Sequence, residues 1–316
     1  MKAAPLAKKA AAALIVAAAA LFLVRAVVRN WRQVRAYPWH VDPLLLAGSV
    51  VALVGVLAWG VWVWGRVLSR FEHSPVGNGT LQRIWFLSNL ARYIPGAVFQ
   101  FVTAAGLSRS AGLSAAVMLT SLLVHTGMSL LSAIVVSSWT LTAPLFPALP
   151  WTAVVAIGVV VTLGATLVVH PRFLNGALGI IPRLLKKDVI RWNGSWADGI
   201  GLLGLAIVSW ALYGAAYWLF LRALTPISAA RLPMLSGVNA LSFAAGYVTP
   251  IPGGLGVREW AMKALLLPVL PSGVAALVAV AARLWNIAAE VIGGALVLAL
   301  TRGGARDTAV AEPRGG

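Results

Sequence analysis

Long apolar runs separated by short polar connectors recur from one end of the chain to the other. A helix needs about 20 apolar residues to cross a bilayer. Runs near that length occur at Ala10–Val24, Pro43–Gly65, Leu113–Ser138, Trp151–Val169, Gly199–Leu221 and Val274–Leu300. Two further apolar segments are interrupted. Leu81–Gly106 contains Asn89, Arg92, Pro95 and Gly96, and Leu232–Leu270 contains Pro250, Pro252, Gly253, Gly254 and Gly256. Pro and Gly stop a helix, and irregular backbone at membrane depth is tolerated only against protein or water. The pattern predicts an all-α polytopic integral membrane protein, with about six spans plus two re-entrant hairpins.

The two interrupted segments resemble each other. Ile94-Pro95-Gly96 reappears as Ile251-Pro252-Gly253, and each is followed by a long span with a small-residue start. At one fixed offset Gly112, Ala115 and Val117 meet Gly273, Ala276 and Val278. If the hairpins enter from opposite faces they form an inverted repeat, the arrangement that builds midplane substrate sites in secondary transporters.

Composition strengthens the membrane reading. Apolar residues make up 60% of the chain and charged residues 10%, against about 25% charged in soluble domains. With no stretch polar enough for a soluble domain, residues 1–301 read as a single membrane domain and 302–316 as a disordered tail. The absence of cysteine excludes disulfide and thiolate chemistry. A net charge of +17 could suggest nucleic acid. The cations instead sit mostly between spans, where they orient the protein and meet anionic headgroups, so no nucleic-acid partner is expected.

Orientation follows from the same cations. The connector Pro171–Asp198 carries Arg172, Arg183, Lys186, Lys187 and Arg191, which predicts a cytoplasmic side. The uncharged loop Thr140–Pro150 then lies outside, and both termini lie in the cytoplasm of a cell-membrane protein. The connector with Arg25, Arg29, Arg32 and Arg35 disagrees, because it falls outside in this scheme. The basic start and short apolar run at the N-terminus have the form of a signal peptide. Arg25 and Arg29 follow at once, which favours an uncleaved first span.

Charges inside the apolar region mark the candidate chemistry. Arg92, Arg258, Lys263 and Arg283 outnumber Glu259 and Glu290 there. Each costs roughly 2.5–3.5 kcal/mol at the centre of a span unless it is paired or faces a wet cavity. Arg283, Asn286 and Glu290 step by three and four, placing them on one helical stripe. That stripe reads either as half of a headgroup site or as an ion pair locking the last helix to the interrupted segment. Glu259 and Lys263 stand four apart in the order that supports a helix, so mutual pairing is the local expectation. Pro252, Gly253 and Gly254, like Pro95 and Gly96, break the helix. They free backbone N–H groups where it restarts near Leu255, and such an N-terminus attracts anions.

The candidate substrate-binding set is therefore Arg92, Arg258, Lys263, Arg283 and Asn286, with Glu259, Glu290 and the Pro and Gly residues in structural or coupling roles. An excess of positive charge near the midplane suits a phosphate-bearing headgroup, which Arg grips bidentately. His40, His73, His125 and His170 show no ligand spacing, and no HExxH, P-loop or nucleophile elbow is present. No metal or cofactor is implied, and an enzyme is not expected.

The strings RYIPG (Arg92–Gly96) and TPIPGGLGVRE (Thr249–Glu259) resemble the integral-membrane family named for the transmembrane region of lysylphosphatidylglycerol synthase. The similarity runs from about Leu81 to Leu300. The resemblance implies a flippase-like membrane domain of the kind found in multiple-peptide-resistance proteins. In two-part members a soluble domain transfers lysine to the lipid. This chain ends at Gly316 without one, so lysyl transfer is not expected. Stand-alone relatives are linked with hopanoids or lipid-linked sugars, so the family implies lipid handling without naming the lipid. Two functions follow as expectations. The first is a translocase that moves an anionic or lipid-linked headgroup. The alternative is a non-transporting subunit that presents lipid to a membrane synthase or glycosyltransferase.

Overall fold

The structure is a computed structural model, which describes residues 25, 28–71, 76–91, 99–184, 189–249 and 254–310. Every regular element among them is helical. In chain order they are α1 (Trp31–Ala36), α2 (Pro43–Leu68), α3 (Asn78–Ala91), α4 (Phe99–Ser110), α5 (Ala115–Thr140), α6 (Thr142–Leu145), α7 (Trp151–Val168), α8 (Pro171–Leu184), α9 (Trp196–Arg222), α10 (Leu232–Val248), α11 (Val257–Leu266) and α12 (Ser272–Val310), with a 3₁₀ turn at Ala229–Arg231. Five are long and apolar enough to cross a membrane: α2, α5, α7, α9 and Ser272–Leu300 of α12. These match five of the expected spans, and the chain is a polytopic membrane protein. The remaining expected span, Ala10–Val24, lies outside the described residues.

Caps and breakers explain the element ends. Asp42 accepts from the N–H groups of Leu44 and Leu45 at the start of α2, where Pro43 supplies a preset φ. Ser195 and Asp198 form a reciprocal capping box at the start of α9. Two stretches differ from the sequence reading. The connector Pro171–Asp198 contains the amphipathic helix α8, whose Leu174 and Leu178 pack under the bundle. Helix α12 continues past Leu300 to Val310, into the expected tail.

Hydrogen bonds and ion pairs fix which helix ends lie together. At one end, the Asp42 N–H donates to the Ala223 carbonyl at 2.9 Å and the Gly273 N–H to Gln33 Oε1 at 3.1 Å. This end gathers the starts of α2 and α12, the close of α9 and the basic helix α1. At the other end, Arg70 Nη2 lies 2.8 Å from Asp198 Oδ1, and Trp64 Nε1 donates to Ser121 Oγ at 3.1 Å. That end gathers the close of α2 and the starts of α5 and α9. Basic residues thus stand at both ends.

The interrupted segments are two helical hairpins, α3 with α4 and α10 with α11, whose arms pack on each other. With α3, α4 and α11 at 14, 12 and 10 residues, these arms are short for a crossing. The start of α3 and the close of α4 lie toward the Arg70 end, and the start of α10 and the close of α11 toward the Gly273 end.

Small residues set the closest crossings. A Cβ on Gly214 of α9 would collide with Ser236 of α10, and one on Gly237 of α10 with Thr140 of α5. In α12, Gly293 and Gly294 seat Phe86 and Leu90 of α3. Without water to drive helices together, such close backbone approach supplies the dispersion contact that holds membrane bundles. Behind α11 the largest buried cluster centres on Trp285, stacked on Phe220 at 5.0 Å and anchored by its indole N–H to Ser49 Oγ at 3.0 Å.

A charged cleft between the second hairpin and the last helix

The return of the second hairpin is shaped by glycine. Gly254 and Gly256 hold φ of +62° and +85°, a left-handed region that side chains other than glycine enter at a cost. Helix α11 starts at Val257, close to the restart expected near Leu255. Its first turn presents Arg258 and Glu259 toward α12.

Facing them on α12 are Arg283 and Asn286, which together with Ala279, Ala282 and Met262 line a small cleft. Four residues singled out from the sequence therefore share one site: Arg258, Glu259, Arg283 and Asn286. Arg283 lies about 16 Å along α12 from its start, roughly half of a 30 Å hydrocarbon core.

The electrostatics centre on Glu259, which is 3% exposed. Its Oε2 accepts from the Gly256 N–H at 2.7 Å, while Oε1 lies 3.9 Å from Arg283 Nη1. The expected local pair with Lys263 is not the one formed. The carboxylate turns back toward the helix start, where a first-turn Glu satisfies an orphan N–H and the positive end of the helix dipole. The ion pair with Arg283 locks α12 to the interrupted segment, and the same Arg283 lines the cleft.

Arg258 is held from the other side. Its Nη2 donates to Tyr213 Oη at 3.5 Å, and the Tyr213 hydroxyl donates to Asn286 Oδ1. Asn286 also donates from Nδ2 to the Ala282 carbonyl at 2.8 Å. Tyr213 comes from α9 and packs edge-on against Trp285 at 6.0 Å. The sequence reading missed Tyr213, because a tyrosine in an apolar span has the look of aromatic packing.

The other candidates fall elsewhere. Lys263 is half-buried one turn beyond Glu259 and is not among the cleft-lining residues. Glu290 is buried one turn beyond Asn286 and likewise stands outside the cleft lining. Arg92, Pro95, Gly96, Pro252 and Gly253 lie outside the described residues. Among the described residues no group of three or more His, Cys, Asp or Glu could hold a metal ion.

A family model described as the lysylphosphatidylglycerol synthase TM region matches residues 10–294. No curated protein and no solved structure matches the chain with significance.

Proposed function

The chain belongs to the lysylphosphatidylglycerol synthase TM-region family, a membrane domain related to lipid handling, and from that premise we propose that it is a lipid translocase. It passes a phosphate-bearing headgroup across the bilayer while the acyl tails stay in lipid. One observation carries this reading: Arg258 and Arg283 line the same cleft, at a depth where unshared charge is costly. Guanidinium groups replace the water and counterions that a phosphate loses on entering the bilayer.

The path of the chain supports it further. Two hairpins of short helices leave the bundle from opposite ends, and both touch α12. We read them as re-entrant and as an inverted pair, so that rocking of one against the other exposes the cleft to each leaflet in turn. In this reading the protein sits in the cell membrane with both termini in the cytoplasm, carries out no covalent chemistry and binds no nucleic acid.

The test is transport by the purified protein alone, in vesicles carrying a panel of labelled headgroups. Faster movement of phosphate-bearing lipids than in protein-free vesicles is expected. If headgroups bind without crossing, the alternative of a subunit that presents lipid to a lipid-modifying enzyme replaces this one.

A further inference from the structure

Glu259 occupies the place where an incoming anion would be expected. Its Oε2 fills the N–H of Gly256 at 2.7 Å, ahead of the ten-residue helix α11. Its Oε1 is buried on the cleft and accepts no hydrogen bond among the described residues. A charge-assisted N–H···O bond closes at about 2.7–2.9 Å. The ion pair of Glu259 Oε1 with Arg283 Nη1, at 3.9 Å, is longer than that. Arg258 stands on the same cleft, supported by Tyr213.

We propose that Glu259 is a built-in competitor of the headgroup phosphate, sharing the Gly256 N–H and Arg283 with it and thereby setting how readily the headgroup leaves. This deepens the translocation reading and rests on it. Two anions cannot both hold these donors at membrane depth without strong repulsion. A cleft with two guanidinium groups and no competing anion would trap a phosphate, whereas conduction needs binding weak enough to release. When phosphate enters, the carboxylate gives up its contact, and when phosphate leaves, the carboxylate returns to cap α11. The bare start of α11 is then never left without an anion.

The experiment measures inorganic phosphate binding to the full chain purified in detergent. Movement of labelled phosphatidylglycerol in vesicles of phosphatidylglycerol and phosphatidylcholine is followed alongside. Glu259→Gln keeps an acceptor for the Gly256 N–H but removes the charge. It should bind phosphate about tenfold more tightly than the wild type, the low end of what a charge-assisted hydrogen bond is worth, and should move the lipid more slowly. Unchanged or weaker phosphate binding overturns the proposal while leaving the translocation reading in place. If Glu259→Gln does not accumulate, Glu259→Asp serves instead. A shorter carboxylate still caps at this position, as Asp198 does for Ser195, but it withdraws from Arg283. It should also bind phosphate more tightly, and unchanged affinity overturns the proposal equally. A wild type that neither binds phosphate nor moves the lipid defeats the translocation reading and this proposal with it.

Discussion

Gly254 lies so close to Gly246 that a Cβ on it would stand 2.7 Å from both the Cα and the carbonyl oxygen of Gly246. The two arms of the second hairpin therefore meet backbone to backbone, and Arg258 is presented from that junction. Gly254 also holds φ +62°. Its replacement by Ala should cost about 1–2 kcal/mol for the backbone conformation alone, with the collision added. The expected outcome is a lower melting temperature in detergent for Gly254→Ala. Gly79→Ala, at a position with no atom within 4 Å of its Cβ, should melt with the wild type.

The two cleft arginines should separate by what each leaves behind. Arg283→Gln strips the counter-charge from a Glu259 that is 3% exposed, and breaking such a pair costs about 3–5 kcal/mol. Arg258→Gln loses a long contact to a hydroxyl and should stay close to wild-type stability. Both should reduce lipid movement. Adding Glu259→Gln to Arg283→Gln should recover part of the lost stability, as read by thermal unfolding in detergent.

Tyr213 ties the cleft to α9. Tyr213→Phe preserves the ring contact with Trp285 and removes both hydroxyl contacts, at about 1 kcal/mol. Lipid movement should fall several-fold, because Arg258 loses its support and Asn286 its donor, while the protein still accumulates. Unchanged transport would show that the hydroxyl only packs.

How much of this was legible in one dimension depended on the range of the interaction. Five spans and both interruptions are written in local hydropathy and in Pro and Gly. Arg258, Arg283 and Asn286 stood out because charge and amide in apolar sequence need a shared surface. The four-residue helical spacing points Glu259 to Lys263, but the fold uses the three-residue spacing back to Gly256. That capping spacing was also visible in the sequence. Tyr213 was not recoverable, since its partners come from two other helices and only the bundle brings them together. Helix α8 was hidden by the charges of its connector, although Leu174 and Leu178 carry the spacing of a buried face.

The hairpin reading has its own measurement. The chain contains no cysteine, so single cysteines report without background. Asn78 and Ser110 are exposed at the two mouths of the first hairpin, and Ala230 is exposed at the entry to the second. Cysteines at Asn78 and Ser110 should both label from the cytoplasm with an impermeant reagent, and those at Ala230 and Ser272 from outside. Opposite-side labelling within either pair would turn that segment into a span and remove the inverted pair. The buried Ser108 is unsuitable, since its hydroxyl is already bonded to the Ala104 carbonyl within the protein.

Helix α12 meets the first hairpin at Gly293 and Gly294 and the second at Arg283, contacts about 15 Å apart along one axis. Neither Pro nor Gly falls between Arg283 and Gly293, so that stretch has none of the usual places to bend. In the translocation reading this straight stretch is the path by which a shift of Phe86 and Leu90 reaches the Arg283 side of the cleft.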